Sequence, residues 1–467
     1  MDRLLKDHGT WSLAEAVKPA VQTAREGFPM WKEFLDRLTR NVFRLAYFPS
    51  SAALFLNEDK TAPKWGLGDT VTNPELADTL ETLGRKGASE FYRGDIAGQI
   101  VRAVREGVHP QSGKYGVLTR EDLAGYRSVR RAPVNTTYRG ATVFTSTLPS
   151  SAATLLETLN ILEATDLPNL AQHSLDALQH LIDAQNLAFA DRNRYHADAD
   201  FVDVPLAGLV DKSYAAERRD LMQRWRFLKD PVDAGTPAGT SGLRFADEPE
   251  NFRQGTTHFN VVDKEGNMVV CTTTIEMNMG SALVVPGLGF LLNNELTDFA
   301  WQERDAAGRK YANCAEGGKK PRRTALGADK NTLGGKRPRS SMSPTLVLGP
   351  DGSPWLGMGS PGGSTIIGAV LNVLLNRMDH GRRLDDATKD PRVIARNRAA
   401  FVEEELLARK DIIAGLTARG AHLESYQVWI GHPAHAHNFV QSIELMANGT
   451  VMAVADPRDS LSGASVL

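Results

Sequence analysis

Cysteine is almost missing from this chain of 467 residues. The two present, Cys271 and Cys314, cannot supply a disulfide framework, and no C-x-x-C spacing offers a metal site. No run of about 18 apolar residues occurs, so no segment reads as a membrane-spanning helix. The opening MDRLLKDHGT lacks the apolar core and small-residue cleavage site of an export signal, so the chain as given reads as cytoplasmic while its compartment stays open. Net charge is scarce too. The 54 basic and 56 acidic side chains nearly cancel, which leaves no global field to recruit nucleic acid or an anionic membrane. A small molecule is therefore the expected partner. Internal repeats and low-complexity tracts are also lacking.

What remains is ordinary globular usage. Hydrophobic residues make up 42% and charged residues 24%, which excludes disorder and coiled coil. The length suits two or three average domains or one large layered unit.

The first third reads as mainly helical. SLAEAVKPAVQTARE (12–26) has helical spacing, and Asn73-Pro74 opens a second helix that Gly87 closes, with cap, first-turn proline and terminal glycine in order. Further helices are expected at 95–106, 151–164 and 174–193, with a strand at 137–147. After Gly255 the texture changes. TTHFNVVD (256–263) alternates, KEGN (264–267) turns, and MVVCTTTIE (268–276) alternates back, which predicts a β-hairpin. A second hairpin is written in 440–455 around Asn448-Gly449, so strands dominate the C-terminal half. The segment 304–339, rich in Gly, Lys and Arg, reads as a long exposed loop whose charges are solvated.

Threonine is a poor nucleophile unless a base sits beside its hydroxyl, and the free α-amino group of a chain-terminal threonine is one solution. Thr256 would gain that group by cleavage after Gly255, whose backbone tolerates the strained dihedrals of an attack on its own carbonyl. Taken alone, the Gly-Thr-Thr triplet equally suits β-formers opening a strand. Centring the turn on Glu265-Gly266 places Thr257 opposite Thr274, close enough for a second hydroxyl to bond the nucleophile. In SPGGS (360–364), before the apolar helix TIIGAVLNVLL (365–375), Gly362 and Gly363 can aim backbone N–H groups at an oxyanion. Glu295 and Asp298 could hold an ammonium and Ser340 and Ser341 a carboxylate, although solvated acids and a plain turn fit the same spacing. Arg339, just before these serines at the end of the basic loop, reads as a solvated residue like its basic neighbours.

Two competing signals stand beside these. Residues 357–362 match G-x-G-x-x-G with Asp379 about twenty residues on, but in a β-rich half instead of a run of βαβ units. His432, His435 and His437 superficially suggest a metal, yet no acidic ligand is close and Pro433 marks a loop. No metal and no cofactor is expected.

In order along the chain, TTHFNVVD, the TTT of 272–274, GFLLNNELTDF (289–299), SSMSP (340–344), GSPGGS (359–364) and ADPR (455–458) resemble the motifs of gamma-glutamyltranspeptidases. AREGFP (24–29), EDLAGYRSVRRAPV (121–134), YRGATV (138–143), PSSAATLLETLNILE (149–163) and AFADRNRYHAD (188–198) look like that family's large subunit, so the resemblance covers nearly the whole chain.

The resemblance implies an α+β fold, the αββα four-layer sandwich of the N-terminal-nucleophile hydrolases. It also implies self-cleavage at Gly255-Thr256 into associated chains, 1–255 and 256–467, that form one folded unit. Carried over, Thr256 is nucleophile and processing residue, Thr274 its hydroxyl partner, and Gly362 and Gly363 the oxyanion hole. Glu295 and Asp298 match acids on the γ-glutamyl ammonium, and Ser340 and Ser341 match hydroxyls on its α-carboxylate. Glu276 stands where well-studied members carry an asparagine near the ammonium. The implied substrates are a glutathione-like γ-glutamyl donor and an amino-acid or water acceptor. Many relatives are periplasmic or secreted. The chain begins at what resembles the middle of the large subunit, so the family's early strand and carboxylate-pairing arginine have no counterpart here, and Arg339 is the nearest cation that could partly replace that arginine. A related cephalosporin- or glutaryl-type acylase and an inactive truncated homologue stay open.

Overall fold

The computed structural model describes residues 1–249, 255–315, 335–426, 438–459 and 462–465. Two compact units divide the chain: Met1–Val129 with Ile275–Glu295, and Arg130–Thr274 with Leu296–Leu467.

The first unit is helical. Its helices include α1 (Leu13–Glu26), α2 (Lys32–Leu45), α3 (Pro74–Lys86) and α4 (Asp95–Glu106). Asn73 caps α3 through the Leu76 N–H and Gly87 closes it, as the sequence predicts, and Ser12 caps α1 in a box with Glu15. The returning segment Ile275–Glu295 supplies apolar side chains to the gaps between helices. Met279, Ala282 and Val284 pack with Leu38 and Leu45, while Leu283, Val285 and Leu288 pack with Ile96 and Ile100.

The second unit is built on a six-stranded, fully antiparallel sheet. The single strand expected at 137–147 is instead a hairpin, β1 (Val134–Tyr138) and β2 (Ala141–Thr145). Arg139 (φ 50°) and Gly140 (φ 82°) make its two-residue turn, a pair of left-handed residues that matches strand twist. After them come helices α5 (Ala153–Glu163) and α6 (Leu175–Tyr195), close to the expected 151–164 and 174–193. The hairpin β3 (Thr256–Val262) and β4 (Met268–Thr274) follows, then β5 (Thr345–Leu348), β6 (Pro354–Gly359), α7 (Ile366–Met378), β7 (Gln441–Leu445) and β8 (Val451–Val454). Strand order in the large sheet is β8-β7-β6-β5-β2-β1.

Period two along β6 separates the layers. Leu356 and Met358 join α5, α6 and α7 in the main core, whereas Gly357 and Gly359 face the hairpin β3–β4. Any side chain at those glycines would collide with it, because a Cβ on Gly357 would lie 2.6 Å from Met268 Sδ and one on Gly359 2.3 Å from the His258 ring. Helices, sheet and hairpin are thus three stacked layers of this unit. The outward row of the hairpin, with Phe259 47% and Val261 54% exposed, faces solvent.

Candidate active site

In the hairpin, Thr256 pairs with Thr274 and Val262 with Met268, one residue away from the expected register of Thr257 against Thr274. The cause is the turn. It holds five residues, Asp263 to Asn267, because Asp263 leaves the strand to accept the backbone N–H groups of Glu265 and Asn267 on its side chain. The shift brings the two threonines face to face, and Thr256 Oγ1 donates to Thr274 Oγ1 at 3.3 Å.

Thr256, His258 and Asn260 share the inward face. His258 Nδ1 bonds Thr272 Oγ1 at 2.8 Å and Nε2 meets Asn260 Oδ1 at 2.9 Å. Burial pushes its pKa down to about 4, and both ring nitrogens are already engaged. His258 is thus a structural pin beside Thr256, not the base for its hydroxyl. Met268 and Val270 lie over Gly357, and His258 over Gly359. Continuing in the same direction puts Thr256 and Thr274 beyond Gly359, at the end of β6 where Ser360–Gly363 begins.

That loop needs its glycines. Gly362 has φ 132° and Gly363 φ 57°, and a Cβ on Gly362 would lie 1.9 Å from Asn438 Oδ1. Thr365 Oγ1 lies 2.6 Å from both the Gly362 carbonyl oxygen and Asn438 Oδ1, which fixes the loop before α7. The G-x-G-x-x-G reading fails on this geometry. Its strand has antiparallel neighbours on both sides, and Asp379 is occupied by Tyr138 Oη at 2.6 Å and Arg139 Nε at 2.7 Å.

Antiparallel pairing of Thr345 with Met358 brings the entrance of β5 to the exit of β6, so Ser340 and Ser341 share that end of the sheet with the glycine loop. The Ser340 carbonyl accepts the N–H and Oγ–H of Ser151, each at 2.7 Å. Arg339 is a correction. It is buried, donates to the Arg192 carbonyl at 3.1 Å and pairs with Glu248 at 3.5 Å, so it neither points to solvent nor lies free for a carboxylate. The guanidinium that reaches the serines is that of Arg192 on α6, which donates to Ser341 Oγ at 2.7 Å.

The ends of the basic loop are likewise structural: Lys336 is buried and donates to the carbonyls of Ala312 and Cys314. Asn313, 1% exposed, donates to the Asp298 carbonyl at 2.8 Å and accepts the Arg339 N–H at 2.8 Å. It thereby ties the ELTD segment to the Ser340-Ser341 segment. Sequence reasoning missed it because an asparagine between Gly, Lys and Arg carries no periodic signal. Residues 316–334 and the histidines 432, 435 and 437 lie outside the described residues.

Glu276 and Glu295 belong to the first unit. Glu276 is buried at φ 73°, an uncommon conformation for a glutamate, and its carboxylate accepts from Asn294 Nδ2. Asn294 Oδ1 in turn accepts the Met277 N–H at 3.0 Å, and Asn293 Oδ1 accepts the Glu295 N–H at 3.0 Å. Among the described residues no group of three or more His, Cys, Asp or Glu is placed to hold a metal, and no helix is long and apolar enough to cross a membrane.

The family model described as Gamma-glutamyltranspeptidase matches residues 1–466. This chain belongs to the gamma-glutamyltranspeptidase family. It is 34% identical over 461 residues to the glutathione hydrolase proenzyme of Escherichia coli strain K12, covering 97% of this chain and 71% of that one. To the glutathione hydrolase proenzyme of Bacillus subtilis strain 168 it is 31% identical over 480 residues, covering 100% and 73%. Among solved structures it resembles the cephalosporin acylase from Bacillus halodurans, with a TM-score of 0.77 and 23% identity over 98% of this chain and 75% of that one. At that identity the likeness is one of fold, and it agrees with the mixed helix and sheet architecture expected. Membership in the family makes the chain an enzyme of the hydrolase and transferase kind.

Proposed function

We propose that the chain is a self-processing γ-glutamyl transferase and glutathione hydrolase with Thr256 as its nucleophile, folded as the four-layer sandwich of N-terminal-nucleophile hydrolases. The observation that carries this is Thr256 Oγ1 set 3.3 Å from Thr274 Oγ1 at the first residue of a strand whose path leads to a glycine loop in left-handed conformation.

In processing, Thr256 Oγ attacks the Gly255 carbonyl carbon, the peptide bond gives way to an ester, and water hydrolyses that ester. This releases residues 1–255 with a new carboxylate and 256–467 with a free threonine amine. In turnover that amine takes the Thr256 hydroxyl proton as Oγ attacks the γ-glutamyl carbonyl. The Gly362 and Gly363 N–H groups receive the oxyanion, and the leaving amine departs with the proton. Water or an amino acid then attacks the acyl-enzyme with the same amine as base. Asp298, Glu295 and Glu276 hold the substrate ammonium, and Ser340 and Ser341 its α-carboxylate.

Donor profiling tests the substrate class. A glutaryl anilide differs from a γ-glutamyl anilide only by the missing α-ammonium, and a cephalosporin acylase shares this fold. Turnover of the γ-glutamyl anilide well above the glutaryl one is expected. The reverse order replaces the transferase reading with the acylase one.

A further inference from the structure

Ser341 does not stand alone at the end of β5. Arg192, 3% exposed in the last turn of α6, donates from Nη2 to Ser341 Oγ at 2.7 Å and from Nε to Ser151 Oγ at 2.8 Å. Its guanidinium is further fixed by Asn193 Oδ1 at 3.3 Å and by stacking over the Phe189 ring at 5.3 Å. Ser151 in turn donates its N–H and Oγ–H to the Ser340 carbonyl. One buried cation thus holds both serines, the second through Ser151.

The donor and acceptor inventory decides what this does. A serine hydroxyl has one proton to give and lone pairs to receive. Ser341 Oγ receives from Arg192 and Ser340 Oγ from the Met342 N–H at 3.2 Å, and among the described residues neither hydroxyl gives its proton away. Both are left as donors aimed at an acceptor-only group. The charge of Arg192, one hydrogen bond behind Ser341, polarises that hydroxyl and favours an anion over a neutral acceptor. The cation next along the chain, Arg339, spends its charge on Glu248.

We infer that Arg192 is a specificity-determining positioning residue, which selects donors bearing an α-carboxylate by acting through the Ser341 hydroxyl. The inference rests on the γ-glutamyl reading above and adds the group that sets the carboxylate preference. Arg192 touches no reacting atom, so its effect belongs in KM more than in kcat.

The test compares a γ-glutamyl anilide with a 4-aminobutanoyl anilide, which keeps an amine and lacks the α-carboxylate. In Arg192→Gln, KM for the γ-glutamyl donor should rise by about ten-fold or more, the size expected for a charge-assisted contact, with kcat nearly unchanged. The decarboxylated donor should be handled as by the wild type. Equal loss on both donors overturns the inference and leaves Arg192 a packing residue. If Arg192→Gln fails to fold, Ser341→Ala removes the same link at a half-buried position, and the same donor-selective rise in KM is required of it. A wild-type protein that ignores the γ-glutamyl anilide overturns the functional reading itself, whereas active wild type with donor-blind variants overturns only this step.

Discussion

At the scale of single residues, the hydroxyls of Thr256 and Thr274 lie 3.3 Å apart, and the guanidinium beside Ser341 is that of Arg192. Hairpin alternation made the two ends of the hairpin neighbours in the sequence, with Thr257 opposite Thr274, and the actual turn moves that pairing to Thr256. The cation beside Ser341 was not legible. Arg339 adjoins Ser340 in sequence, yet its side chain turns to Glu248, while Arg192, almost 150 positions away, comes in from a helix. Nothing in a linear pattern states where a guanidinium points. Asp298 carries the sharpest residue-scale expectation. Asp298→Asn keeps shape and removes charge, so it should lose roughly 1.5–3 kcal/mol of interaction with the ammonium, about ten- to a hundred-fold in kcat/KM on a γ-glutamyl anilide. The glutaryl anilide, which has no ammonium, should be indifferent to the change. A variant with undiminished efficiency on the γ-glutamyl donor would take Asp298 out of the site.

At the scale of elements, the helices α1, α3 and α4 and the 256–274 hairpin follow from caps, glycines and periodicity, and the structure returns them within a residue or two, whereas α2 was not among the helices expected. Register was the weak point, because one aspartate decided it. By joining the turn, Asp263 makes the loop odd in length and moves every cross-strand pair by one. The packing of hairpin on sheet is equally specific and was invisible to pattern. It depends on the bare backbone of Gly359 under His258. Gly359→Ala would put a methyl group 2.3 Å from that ring, where both nitrogens of His258 are already bonded. The ring cannot turn aside without breaking them. The expected result is a loss of roughly 1–3 kcal/mol in stability together with slower self-cleavage, read by thermal unfolding and gel densitometry. Unchanged melting and processing would mean that the hairpin does not depend on this contact.

For the whole molecule, composition restricted the class, motif order suggested the family, and the match over residues 1–466 shows it. What neither composition nor order conveys is how one buried asparagine, Asn313, joins the ELTD and Ser340-Ser341 segments across a stretch that reads as solvated loop. The central claim is that a single bond, Gly255-Thr256, must break before the enzyme works. Mass spectrometry with N-terminal sequencing of the purified protein tests this most directly. Wild type should yield two chains, the smaller beginning TTHFNVVD, and gain activity as they appear. Thr256→Ala should stay whole and inert, and Thr256→Ser should retain part of both steps. Fully active protein that remains one uncut chain, or a cut Thr256→Ala, would contradict the account.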